Sequence, residues 1–99
     1  MRITYQQLVE WGACESALLV VAEHFGTGEI ELSRENLIRA ADLGLNIFWF
    51  AASLLSSQQS GRFFFLERPF WIKRFTCEID KTEHLEAAAN ILNDILEGK

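Results

Sequence analysis

The sequence predicts a mainly α-helical fold, a compact helical bundle of about five helices that also holds one short strand or hairpin element. Apolar residues recur at intervals of three and four along most of the 99 residues. Glycines and capping patterns separate these stretches from one another. The chain is 49% hydrophobic and 23% charged, which is typical of a globular protein. At this length we expect a single domain over residues 1–99.

Two helices are predicted in the first quarter of the chain. Thr4 is followed three residues later by Gln7, a capping-box pattern that begins the first helix, and Gly12 ends it. The second helix is predicted from about Cys14 to Phe25. It is apolar around more than half of its circumference, so we expect it to lie near the centre of the fold.

The middle of the chain predicts one extended stretch and two more helices. Charged and apolar residues alternate over 28–32, which is typical of a short edge strand. Ser33 then caps a third helix over 34–43, and Asn46 caps a fourth that runs from Ile47 to about Gln58. The polar residues 56–61 are interpreted as the frayed end of that fourth helix followed by a loop.

The C-terminal helix has the clearest pattern. Asp80 or Thr82 is expected to cap it, and Asp80 together with Glu83 forms a second capping-box pattern. An apolar stripe with spacings of three and four follows, formed by Leu85, Ala88, Ala89, Leu92, Ile95 and Leu96.

The acidic composition limits the classes of partner. The net charge of −5 argues against binding to duplex DNA, which depends on Lys and Arg against phosphates. A pattern similar to a helix-turn-helix begins at Ala40, but its second helix is too apolar to face a major groove. The N-terminus lacks an apolar signal core, and the longest apolar run, 43–55, is shorter than the roughly 20 residues that a membrane span needs. We therefore expect a cytoplasmic protein without a membrane partner.

The sequence contains no clear metal or catalytic motif. Cys14, His24, Cys77 and His84 form a conceivable zinc set, but zinc sites usually contain closely spaced cysteine pairs. The two cysteines are interpreted as free thiols that act as small buried hydrophobic residues. Neither histidine is framed by a nucleophile or acid pattern. We therefore expect no metal, no cofactor and no enzymatic activity.

One segment differs from the rest of the chain. Residues 62–77 contain six of the twelve aromatic residues and carry a charge of +3, whereas residues 1–61 and 78–99 each carry −4. Aromatic side chains are large, so a core of this size does not cover all twelve. Some of them must lie at the surface, in an interface or in a groove.

Three interpretations of this segment remain open. Its aromatic residues complete the core while its basic residues pair with acidic helices, or it is a protein-binding surface, or it binds single-stranded nucleic acid by stacking. For Phe63–Leu66 a strand is possible, and Pro69 is placed in a tight turn or at the first position of a helix. The candidate partner-binding residues are Arg62, Arg68, Trp71, Lys73 and Arg74.

Residues 3–55 also resemble a known group of proteins. The pattern is Leu8, then Gly12-Ala13-Cys14, then Phe25-Gly26 after the second helix, and Trp49 with Leu54-Leu55 near its end. It is similar to a group of short, mostly uncharacterised bacteriophage accessory proteins. The resemblance implies no catalytic residues. It implies a phage setting, in which small acidic proteins often block a host protein, and residues 62–75 depart from it.

The sequence as a whole predicts a non-enzymatic interaction protein. The leading hypothesis is a phage-encoded inhibitor that binds a host or defence protein in the host cytoplasm. The alternative is a single-stranded nucleic-acid-binding module that uses residues 62–77. The excess of aromatic residues further predicts a homodimer at micromolar concentration.

Overall fold

Helices dominate the protein in the computed structural model, which describes residues 1–98. In chain order, the elements are β1 (Arg2–Thr4), α1 (Tyr5–Glu10), α2 (Glu15–Phe25), β2 (Glu29–Glu31), α3 (Arg34–Asp42), α4 (Ile47–Leu54), α5 (Ser57–Phe75) and α6 (Lys81–Leu96). The prediction of a mainly α fold with a short strand element is confirmed. The chain divides into two compact units, Met1–Ser33 and the residues from Arg34 onward. The expectation of one domain over residues 1–99 stays a prediction.

The first unit pairs its two short strands and adds α1 and α2. β1 runs antiparallel to β2, with Ile3 opposite Ile30, and both side chains are buried. Thr4 and Gln7 form the predicted capping box, in which the Gln7 amide donates to Thr4 Oγ1 over 3.1 Å. The sequence predicted β2 but not β1, because a three-residue strand at a chain end carries no periodicity of its own.

In the second unit, α6 is the central helix, and α3, α4 and α5 pack against it. Its apolar stripe faces these three helices, and Ala88, Ala89 and Leu92 have no solvent exposure. Asp80 caps the helix and forms the predicted capping box with Glu83. The Arg34 guanidinium donates to Asp94 of α6 over 3.0 Å, which ties the start of α3 to the end of α6.

The boundary between the fourth and fifth helices differs from the sequence prediction. α4 ends at Leu54 instead of about Gln58, and the residues predicted as a frayed end and a loop form the start of α5. Ser56 accepts a hydrogen bond from the Gln59 amide, and the Gln59 side chain accepts one from the Ser56 amide. This is the same capping box as at Thr4, and it shows that the loop prediction over 56–61 was wrong.

Within the described part of the chain, no helix combines the length and the apolar character that crossing a bilayer requires.

Candidate functional site

The unusual segment folds almost entirely into α5. The 19-residue helix continues through Phe63–Leu66, so the strand interpretation was wrong. Pro69 lies inside the helix, not in a turn or at its first position. Proline supplies no amide hydrogen, so the carbonyl of Phe65 receives no donor from that position. At about 1.5 Å per residue the helix is about 28 Å long.

The C-terminus of α5 is closed by a Schellman motif. The Cys77 amide donates to the Arg74 carbonyl over 3.1 Å, and the Glu78 amide donates to the Lys73 carbonyl over 2.8 Å. Cys77 has a φ of 62°, a left-handed conformation that glycine usually adopts at this position. Lys73 and Arg74 lie in the last turn, where their charge is favourable to the helix dipole.

The outward side of α5 is apolar and exposed to solvent. Phe75 is 90% exposed, Phe65 72%, Ile72 61% and Trp71 45%, and Phe64 is also exposed. The other side of the helix buries Phe63 and Glu67. The count of aromatic residues predicted such an excess at the surface, and the interpretation that they all complete the core was wrong. We call Phe64, Phe65, Trp71, Ile72 and Phe75 the outer face of α5.

The exposed charge on α5 is entirely basic. Its single carboxylate, Glu67, is 1% exposed, whereas Arg62 and Arg68 lie in solvent. Within residues 1–98, no carboxylate lies within ion-pair distance of Arg62, Arg68, Lys73 or Arg74. The interpretation in which these residues pair with acidic helices was therefore wrong.

The five candidate partner-binding residues take different places around α5. Arg68 lies among the apolar side chains of the outer face. Arg62 and Lys73 lie eleven residues apart, so both lie on the same side of α5, next to the outer face. The Lys73 ammonium is 5.4 Å from the centre of the Phe70 ring. Trp71 and Arg74 are brought together, with the guanidinium carbon 5.5 Å from the centre of the Trp71 ring.

An open depression lies at the C-terminal end of the outer face. It has a volume of about 540 Å³ and is lined by Trp71, Ile72, Arg74 and Phe75. Three of its four lining residues are apolar, and the fourth carries a positive charge. The depression therefore suits an apolar side chain that has a carboxylate nearby.

A buried ionisable pair lies beneath the outer face. Glu67 Oε1 of α5 is 2.6 Å from His84 Nε2 of α6, and the two side chains are 1% and 0% exposed. On the other side of the imidazole, Arg74 Nη1 is 3.5 Å from His84 Nδ1, at the long end of the hydrogen-bond range. Among the described residues, no buried side-chain nitrogen or oxygen lacks a hydrogen-bond partner.

The chemistry of the carboxylate assigns the direction of the hydrogen bond within the pair. A carboxylate oxygen can only accept, so Nε2 of His84 donates to Oε1 of Glu67. Burial raises the pKa of the Glu67 carboxyl, while the hydrogen bond and charge of His84 and the Trp71 hydrogen bond oppose that rise.

Aromatic contacts connect this buried pair to the outer face. The Trp71 ring meets the His84 imidazole edge-on, with 4.3 Å between ring centres. Phe48 of α4 lies 5.1 Å from the Trp71 ring centre and 4.8 Å from that of His84. Trp71 therefore packs against α4 and α6 on one side, while part of its ring faces solvent. The sequence indicates Trp71 as a site residue, and His84 only as a conceivable zinc ligand. It does not indicate the pairing of Glu67 with His84, because the two residues lie on different helices and share no local pattern.

The remaining candidate ligands lie apart from this site. Cys14 and Cys77 are free thiols, and both are exposed, so their interpretation as buried hydrophobic residues was wrong. Hydrogen bonding, first from the Ser16 side chain, lowers the pKa of the Cys14 thiol. Over residues 1–98, no group of three or more His, Cys, Asp or Glu side chains is arranged to hold a metal ion.

Comparisons with known proteins identify no relative of this chain. No family model, curated protein or solved structure matches the chain.

Proposed function

We propose that the protein is a non-enzymatic interaction protein whose outer face of α5 binds an acidic, partly apolar surface of another protein. One observation carries the proposal: the side of α5 opposite the buried Phe63 and Glu67 presents exposed aromatic side chains around Arg68, which has no carboxylate partner among residues 1–98. Aromatic residues and arginine are enriched among the residues that contribute most to binding at protein interfaces.

The apolar side chains supply the driving force for such an interaction. A contiguous exposed apolar patch is a common mark of a protein-binding surface. Phe65, Ile72 and Phe75 are each more than 60% exposed, so a partner would remove most of their surface from water. Trp71 is already held in place by His84 and Phe48, and less side-chain entropy is lost when it binds.

The charges supply the preference for an acidic partner. α5 has four basic residues and no exposed carboxylate, so an opposing basic surface would be repelled. Symmetric pairing of two copies through this face would bring Arg68 of both copies into one interface. The predicted micromolar homodimer stays a prediction, and sedimentation equilibrium at about 100 μM tests it.

The proposal also includes a class of partner. The resemblance of residues 3–55 to short bacteriophage proteins supports a phage-encoded inhibitor that blocks a host or defence protein in the host cytoplasm. Single-stranded nucleic acid is the competing ligand, because Phe65, Trp71 and Phe75 lie beside Arg68 and could stack on bases. The net charge of −5 opposes it.

Affinity capture with matched variants tests the proposal. We expect a stoichiometric partner protein to be captured by the wild type and lost with Arg68→Glu and with Phe75→Ser. Lys81→Glu makes the same charge change on α6, and Leu19→Ser removes an apolar side chain of 65% exposure on α2. Both controls should retain the partner.

Stability and affinity must be measured for the same variants. Arg68→Glu should weaken the purified complex by at least tenfold, or about 1.4 kcal/mol. Its free energy of unfolding should stay within about 0.5 kcal/mol of the wild type, because the side chain is exposed. A captured protein that tolerates both α5 changes, or a nucleic acid that binds through Arg68, contradicts the proposal.

A further inference from the structure

We infer that the partner's contact segment is an acidic amphipathic helix that lies along α5. This inference rests on the proposed function and specifies the chemistry and shape of the occupant. It follows from the line of side chains on the outer face, from the depression at one end of it and from the positions of two arginines beside it.

The exposed aromatic side chains form a ridge that matches the groove of another helix. Phe64, Trp71 and Phe75 are separated by seven and four residues, a spacing that places them on one line along the helix. The line extends over about three turns, or roughly 16 Å. Helices pack by seating such ridges into the grooves between side chains of a second helix. A helical segment is therefore the shape that the outer face accommodates over its whole length.

The depression provides a position for one side chain of that helix. Trp71, Ile72 and Phe75 form its apolar walls, and Arg74 is its one charged lining residue. A leucine or phenylalanine side chain of the partner would fit into it and contact the part of Trp71 that faces solvent. The contacts of Trp71 with His84 and Phe48 hold this wall in position before the partner arrives.

Two arginines flank the ridge on opposite sides. At about 100° per residue, Arg68 lies on one side of the line of Phe64, Trp71 and Phe75, and Arg74 lies on the other. They are six residues apart, or about 9 Å along the helix axis. Among residues 1–98, no carboxylate lies within ion-pair distance of Arg68, and Arg74 contacts the imidazole of His84 instead of a carboxylate. The partner helix should therefore carry carboxylates on both edges of its apolar stripe.

A peptide selection tests this directly. A library of 21-residue peptides has leucine fixed at helical i, i+3, i+4 and i+7 positions, and its other positions vary among Glu, Lys, Gln and Ala. The wild-type protein is the target, and the Arg68→Glu/Phe75→Ser double variant is the counter-target. Because both side chains are exposed, the double variant should fold, which circular dichroism checks.

We expect the selected peptides to be enriched in Glu on both sides of the leucine stripe. A fluorescently labelled consensus peptide should bind at least tenfold more tightly than the same peptide with Glu replaced by Gln. Its affinity should fall at least tenfold for Arg68→Glu and stay unchanged for Lys81→Glu. Selection of basic or uncharged peptides, or of none, overturns the inference. So does tighter α5-dependent binding of a 20-nucleotide oligo-dT or of vesicles that contain anionic phospholipid.

The two proposals fail in distinguishable ways. A captured protein whose binding needs Arg68 and Phe75, but which contacts α5 through a strand or a loop, overturns the helix inference and leaves the proposed function standing. If Arg68→Glu and Phe75→Ser leave capture of every protein unchanged, the proposed function itself is overturned.

Discussion

Replacement of Glu67 tests the buried pair that supports α5. Its carboxylate accepts the Nε2 hydrogen of His84 at 2.6 Å, and both side chains are excluded from solvent. Glu67→Ala would leave that buried donor without a partner and open a cavity beside it. Breaking a buried pair by removing one member typically costs about 3–5 kcal/mol. A protein with a total stability of about 5–15 kcal/mol would lose a large fraction of it.

Glu67→Gln is the matched control for this change. The glutamine carbonyl oxygen can accept the same hydrogen bond from Nε2, and the side chain has nearly the same volume. The substitution removes a charge that burial disfavours, but it also exchanges one carboxylate oxygen for an amide nitrogen, which cannot accept the Trp71 hydrogen bond. We therefore expect Glu67→Gln to lose less stability than Glu67→Ala at pH 7, because it keeps the acceptor for His84.

Urea unfolding followed by far-ultraviolet circular dichroism measures both variants. The free energy of unfolding comes from linear extrapolation, with the slope checked for each variant. A double-mutant cycle with His84→Ala should give a coupling free energy of about 0.5–3 kcal/mol. If Glu67→Ala and Glu67→Gln lose the same stability, the hydrogen bond to His84 does not stabilise the fold and our reasoning is refuted.

Three further predictions concern stability. The raised pKa of Glu67 means that the folded state binds this proton more tightly, so its contribution to stability should fall as pH rises above about 4.5. A pH series should show a steeper fall in the wild type than in Glu67→Gln, which keeps the other carboxyl groups. Pro69→Ala should stabilise the protein by up to about 3 kcal/mol, because Pro69 lies exposed inside α5; an unchanged urea midpoint would contradict this. Cys77→Gly should add about 1 kcal/mol by relieving the left-handed φ, whereas Cys77→Ala should not, as thermal melting can show.

The sequence predicted the elements whose signals are local. Thr4 with Gln7 and Asp80 with Glu83 each place a cap and its reciprocal partner within one helical turn, so the helix start is readable without tertiary contacts. The same signal is present at Ser56 and Gln59, but the polar residues around it also fit a loop, so the sequence does not separate the two structures there. The helix at Phe63–Leu66 was ambiguous because a run of aromatic residues favours both strand and core.

The sequence by itself determined that the chain is mainly helical, where most helices begin, and that a basic aromatic segment lies between acidic flanks. Only the tertiary structure decided which side of that segment is buried. The docking of α5 on α6 covers Phe63 and Glu67 and leaves Phe65 and Phe75 in solvent. It also brings Glu67 to His84, seventeen residues away on another helix. Helical periodicity describes one helix alone, whereas burial and pairing depend on which second helix covers it.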